Sequence, residues 1–119
     1  MKTIQLRKSS PPRTLLNLKV CDTFFNRFRG LMLTKELAPD GGIMLVGDAE
    51  SKVNASIHTM FMRYDITVLW LDKDRVLVDK VLAKKWKLYY APQAPAQYIL
   101  EMHPDRFDDF AIGDKFEIL

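Results

Sequence analysis

A single cysteine, Cys21, is all that 119 residues supply. A lone thiol cannot close an internal disulfide, and no CxxC or Cys/His spacing surrounds it. Neither a disulfide frame nor structural zinc is therefore available, and Cys21 is expected to be a small core residue. Long apolar runs are missing too. No stretch approaches the roughly 18 apolar residues of a spanning helix. Met1 to Arg13 alternates charged and apolar residues, without the apolar segment of a signal peptide. A cytoplasmic protein with no membrane partner is expected. Charge of one sign is scarce as well: 18 Lys and Arg face 15 Asp and Glu, a net charge of +3. That is a mild excess rather than the basic stripe of nucleic-acid binders, so nucleic acid is not the expected partner. No GxSxG or Ser/Cys beside His prepares a nucleophile, and no motif implies a cofactor.

What is present is an ordinary globular composition, 48% apolar and 28% charged, in a chain of the commonest single-domain length. Neither repeat nor linker divides it, so residues 1–119 read as one domain. Thr3 to Arg7 alternates weakly as a strand would, and Pro11-Pro12 breaks it. Leu16, Leu18 and Val20 share one strand face. The period changes after Asp22-Thr23, where Phe24, Phe25, Phe28, Leu31 and Met32 stack on one helical stripe with Arg29 at its edge. An amphipathic helix over about 22–32 is predicted to cover an apolar sheet face. Pro39-Asp40-Gly41-Gly42 reads as a turn, Ile43 to Val46 as a short strand, and the polar stretch 47–56 as a loop long enough to act as a flap.

Further strands are expected over Ile57 to Arg63, Ile66 to Leu71 and Arg75 to Ala83, the last two joined by a turn at Asp72-Lys73-Asp74. Another is expected at Lys84 to Tyr90, where Trp86, Leu88 and Tyr90 alternate with Lys85, Lys87 and Tyr89. Gln97 to Met102 and Lys115 to Leu119 complete the sheet, with one or two helical turns from Pro104 to Phe110 between them. The fold class is mainly β: an antiparallel β-sandwich or partly open barrel with one helix packed on it.

Arg29-Gly30-Leu31-Met32, Gly42-Ile43-Met44-Leu45, the long run Ile57 to Ile66, Val68 to Asp72, Tyr98 to Glu101 and Ile112-Gly113-Asp114 occur in this order. In these motifs the chain resembles the bacterial and archaeal family called domain of unknown function 192, over nearly its whole length. The resemblance implies a compact β-sandwich-like or barrel-like domain with a helix before the arginine-glycine motif, and it implies no activity. Two departures stand out: Asp65 where many members have Pro, and His103-Pro104 where many have a small residue and Gly after the glutamate.

Several polar residues interrupt apolar stretches. Arg29, Arg63, Glu101 and Asp114 are costly to bury unless paired, so structural ion pairs are expected; if two of them converge with His58, they line a ligand pocket. The leading reading is a non-enzymatic binder of a small molecule or protein partner, with Arg29, His58, Thr59, Arg63 and Glu101 as ligand contacts. A hydrolase-type enzyme using His58 with Glu101 is the alternative from another class. His58, Met60 and Met62 share a strand face at spacing two, a set that could hold Cu(I) and that equally describes core packing. Lys84 to Tyr90 interleaves cations with aromatics, as single-stranded nucleic-acid modules do and as one solvated strand face does.

Overall fold

The computed structural model describes residues 2–21, 41–59, 62–87 and 89–119. The expected helix at 22–32, with Arg29 and Phe28, lies outside the described residues, as do Met60, Phe61 and Leu88.

Seven strands form one curled sheet: β1 (Thr3–Lys8), β2 (Leu15–Cys21), β3 (Gly41–Ser51), β4 (Ile66–Leu71), β5 (Leu77–Ala83), β6 (Ala96–Met102) and β7 (Phe116–Ile118), with a short 3-10 helix, Pro104–Asp109, before the last. Their order across the sheet is β5-β4-β6-β3-β2-β1-β7. At one end the two edge strands are stitched together. Val76 bridges Lys115, Leu77 N–H donates to the Asp114 carbonyl and Phe116 N–H donates to the Arg75 carbonyl. The sheet is thus a half-barrel, closed at one corner.

Not every pairing is antiparallel as the sequence suggested. β2 and β3 run parallel, Val20 opposite Met44. Parallel neighbours need a long crossover rather than a hairpin, and residues 22–40 are numerous enough for one. β3 also runs further than predicted, through Ser51, with a register irregularity between Val46 and Ser51. The expected loop 47–56 therefore shrinks to the residues after Ser51.

Strand alternation sorts the apolar residues into two cores. Leu6, Leu16, Leu18, Met44, Leu69, Leu71, Leu77, Leu100, Met102, Phe110 and Phe116 fill the concave face. On the convex face Cys21, Ile43, Leu45, Ile66, Val68, Trp70 and Ile99 meet Ala55, Ile57 and Met62, which come from the connection between β3 and β4. β4 serves both faces and is buried at all six positions, which is why its sequence is an apolar run.

The hairpin turn predicted at Asp72-Lys73-Asp74 is present. Asp72 Oδ1 accepts from the N–H groups of Asp74 (2.9 Å) and Val76 (3.0 Å), an Asx turn that leads into β5. His103, one of the two departures from the family pattern, caps the 3-10 helix by accepting at Nδ1 from Asp105 N–H, 3.0 Å.

Gly42 has a packing role. A Cβ there would sit 2.3 Å from the Glu101 carbonyl oxygen and 3.2 Å from a Leu18 methyl. The nearest obstacle is backbone, so β3 and β6 would have to separate. Gly42→Ala is expected to cost about 1–3 kcal/mol, the usual penalty of overpacking, read as a lower urea midpoint at unchanged slope.

Candidate functional site

The sequence-predicted site residues among the described ones divide between two places. Glu101 lies on β6 with its side chain on the convex face, between Ile43 of β3 and Val68 of β4 in the adjoining registers. It is 4% exposed. Among the described residues no hydrogen bond or ion pair reaches its carboxylate. The flanking register positions on β3 and β4 are aliphatic, so no described residue supplies the ion partner expected there, and Arg29 lies outside the described residues. Desolvation pushes the carboxyl up to about 7. The ion-pair reading does hold for Asp114, whose Oδ2 lies 3.8 Å from the buried Lys8 ammonium and accepts from Ala111 N–H at 2.8 Å.

The described residues of the predicted strand Ile57 to Arg63 do not form a regular strand. Among them only Ile57 makes a bridge, to Tyr90, and Arg63 lies with Tyr64 in a bend. The reason is the job of this segment, which is to cover the convex face. Ile57 and Met62 turn inward and the Trp70 indole N–H donates to the Ala55 carbonyl at 2.8 Å to hold the cover down. His58 is half-buried beside Ile57, and no hydrogen bond or ion pair joins it to Glu101. Met62 of the copper reading is buried in the convex core, and Met60 lies outside the described residues.

Thr59 organises the second place. It is fully buried, and its hydroxyl donates to the Lys84 carbonyl and accepts from Lys87 N–H at 2.8 Å. Its backbone carbonyl accepts from Trp86 N–H (2.7 Å) and Met62 N–H (3.2 Å), and its own N–H donates to the Lys87 carbonyl, 2.8 Å. These bonds tie Thr59 to the backbone of Lys84 and Lys87, so it builds a loop. The loop lies in Lys84 to Tyr90, whose described residues do not form the predicted strand: Lys85 and Trp86 form a turn, with Trp86 at φ 63°. Backbone groups that a strand would pair with a neighbour are used by Thr59 instead. Asp65, the other departure from the family pattern, clamps the turn. Its Oδ1 accepts from Lys85 N–H at 3.0 Å and its Oδ2 pairs with the Lys84 ammonium at 3.3 Å. The Lys85 N–H above all, with help from Lys84, holds the Asp65 carboxyl below its ordinary value against the opposing effect of burial. Arg63 is exposed, in sequence between Met62, whose N–H donates to the Thr59 carbonyl, and Asp65.

Among the described residues no cluster of three His, Cys, Asp or Glu side chains could hold a metal ion. No described helix is long and apolar enough to cross a membrane.

The half-barrel with a covered convex face defines a class met before. Residues 4–118 match the family model DUF192, described as Uncharacterized ACR, and the chain belongs to that family. Curated relatives are named only as UPF0127 proteins. One from Thermococcus kodakarensis is 51% identical over 84 residues, 71% of this chain and 52% of the relative. Another, from Thermococcus sibiricus, is 39% identical over 102 residues, 84% of this chain and 64% of the relative. The chain thus spans between about half and two thirds of those proteins. Two solved structures share the fold at 16% identity. One is a Sinorhizobium meliloti protein described provisionally as a transcription regulator, with TM-score 0.88, covering 98% of this chain and 94% of its own. The other is a protein of unknown function from Novosphingobium aromaticivorans, with TM-score 0.86, covering 97% and 84%.

Proposed function

We propose that this is a non-catalytic, cytoplasmic binding domain whose ligand is a small molecule carrying an amine or amide that reaches the Glu101 carboxyl. The observation that supports this is the burial of Glu101 between Ile43 and Val68 without an ion partner among the described residues. A carboxylate in such surroundings is expensive to keep unless something compensates it. A ligand ammonium would stabilise the charged form, and a ligand carbonyl would accept from the protonated form. The hydrolase alternative has less support, because no hydrogen bond connects His58 to Glu101 and a base without its acid offers no proton path.

Native mass spectrometry of freshly purified protein tests the reading. A bound mass of a few hundred daltons or less, retained by the wild type and lost in Glu101→Gln, is the expected result. A wild type that carries no such mass and whose melting temperature is unmoved by a panel of primary amines and amides would count against it.

A further inference from the structure

His103 closes the N-terminal end of the 3-10 helix Pro104–Asp109. Pro104 at the first position has no N–H, so the first donor that needs a partner belongs to Asp105, and the ring Nδ1 of His103 accepts from it at 3.0 Å. A nitrogen that accepts carries no proton, so this arrangement belongs to the neutral ring with its hydrogen on Nε2. The same Nδ1 lies 3.6 Å from Oδ2 of Asp105. One ring atom therefore faces two groups of one residue: an N–H that needs a lone pair, and a carboxylate that needs a donor. The two pairings exclude each other, and the charge of the imidazole selects between them.

The rest of the helix is held by other bonds. The Thr67 hydroxyl donates to the Pro104 carbonyl at 3.2 Å, and the Lys80 ammonium donates to the carbonyls of Phe107 and Phe110 at 2.9 and 2.8 Å. These seat it on β4 and β5, with Phe110 in the concave core. Charged groups on the neighbouring elements are otherwise engaged. β4 carries none. On β5, Asp79 accepts from the N–H groups of Lys80 and Gln93. On the helix itself Asp109 pairs with Arg106 at 2.6 Å and Asp108 is exposed. On β6, Glu101 is buried two residues before the ring. Among the described residues Asp105 is thus the acid that pairs with His103. We propose that His103 is a proton-operated latch: the neutral ring caps the helix through the Asp105 N–H, and the protonated ring releases that N–H and donates to the Asp105 carboxylate instead. Acid then loosens the first turn while Thr67 and Lys80 keep the remainder seated, so the response is a local opening where β6 passes into the helix.

NMR of the full chain labelled with nitrogen-15 tests this. At about pH 8 the His103 Nδ1 is expected to give the signal of an unprotonated ring nitrogen and Nε2 that of a protonated one. Between about pH 8 and pH 5, where an imidazole gains its proton, Nδ1 should become protonated. Over the same interval the Asp105 amide should exchange with solvent about 5-fold faster than its intrinsic pH dependence allows, the factor that one lost cap gives. His103→Asn supplies a cap that does not titrate and is expected to abolish the acceleration. Glu101→Gln is expected to leave it in place. The proposal fails if Nδ1 carries a proton at pH 8, or if Asp105 exchange follows its intrinsic pH dependence throughout; both readings are made on the wild type and need no variant to fold. It fails equally if the acceleration survives in His103→Asn, or if it vanishes in Glu101→Gln, which would make Glu101 the group that titrates.

Discussion

Trp70→Ala is expected to lower stability by about 3–5 kcal/mol, the range for truncating a buried large aromatic residue. Trp70 is 1% exposed, and it lies in the convex core with Ile43, Val68 and Ile99 below the cover segment. Two losses combine. The ring volume disappears from a site whose neighbours are held by three adjoining strands, so collapse is limited. The Ala55 carbonyl also loses the indole N–H at 2.8 Å that pins the connection between β3 and β4. Trp70→Phe separates the two: most of the volume survives, and a penalty of about 1–3 kcal/mol should remain for the unpaired carbonyl. Urea denaturation of both variants checks this. Equal midpoints for Trp70→Phe and wild type would mean the indole bond does not hold the cover.

The second large effect concerns pH. Glu101 is pushed up from an ordinary 4.5 to about 7 by burial. A carboxyl with a raised folded-state pKa keeps its proton longer in the folded chain than in the unfolded one. Its unfavourable contribution is absent below about pH 4.5, grows as pH rises through the interval between the two values, and levels off above about 7. The shift corresponds to about 3 kcal/mol at the plateau, taken as an order of magnitude. Glu101→Gln removes the titration. The stability of the ligand-free variant relative to wild type should therefore rise by about that amount between pH 4.5 and 8, and subtracting the two curves cancels every other titrating group. Parallel curves would show that Glu101 titrates as it does in the unfolded chain.

Much of the sheet was legible because alternation and turn chemistry are local. Leu16, Leu18 and Val20 announced the concave face of β2, and Asp72-Lys73-Asp74 announced the β4–β5 hairpin. Lys84 to Tyr90 misled for a physical reason. Its alternation is real, but a strand also needs a neighbour with open hydrogen-bonding groups, and here Thr59, 25 residues away, takes the Lys84 carbonyl first. The parallel β2–β3 pair was illegible for a similar reason: direction across a crossover is settled by packing, not by either strand's own sequence. At the site, the cost of burying Glu101 could be read from its apolar neighbours in sequence, whereas the absence of a charged partner among the described residues could not, since partners come from other strands. Asp65 carried a usable signal. It departs from the family pattern, and its carboxylate ties down the turn at Lys85 and Trp86.

The pairing of β1 with β7 joins residues 110 apart at Arg7 and Glu117, whereas β1 meets β2 across 12 at Gln5 and Asn17. Chain-closure entropy makes the longer loop costlier by about 2 kcal/mol, because it grows with the logarithm of length. The Arg7–Glu117 pair cannot offset that, being 37% and 44% exposed, where such pairs contribute roughly 0.2–1 kcal/mol. Phe116, fully enclosed and 5.5 Å from the ring of Phe110, can. β7 is therefore kept in the sheet by the ring it places inside the barrel, and its charged neighbour on the outside does no more than set the register.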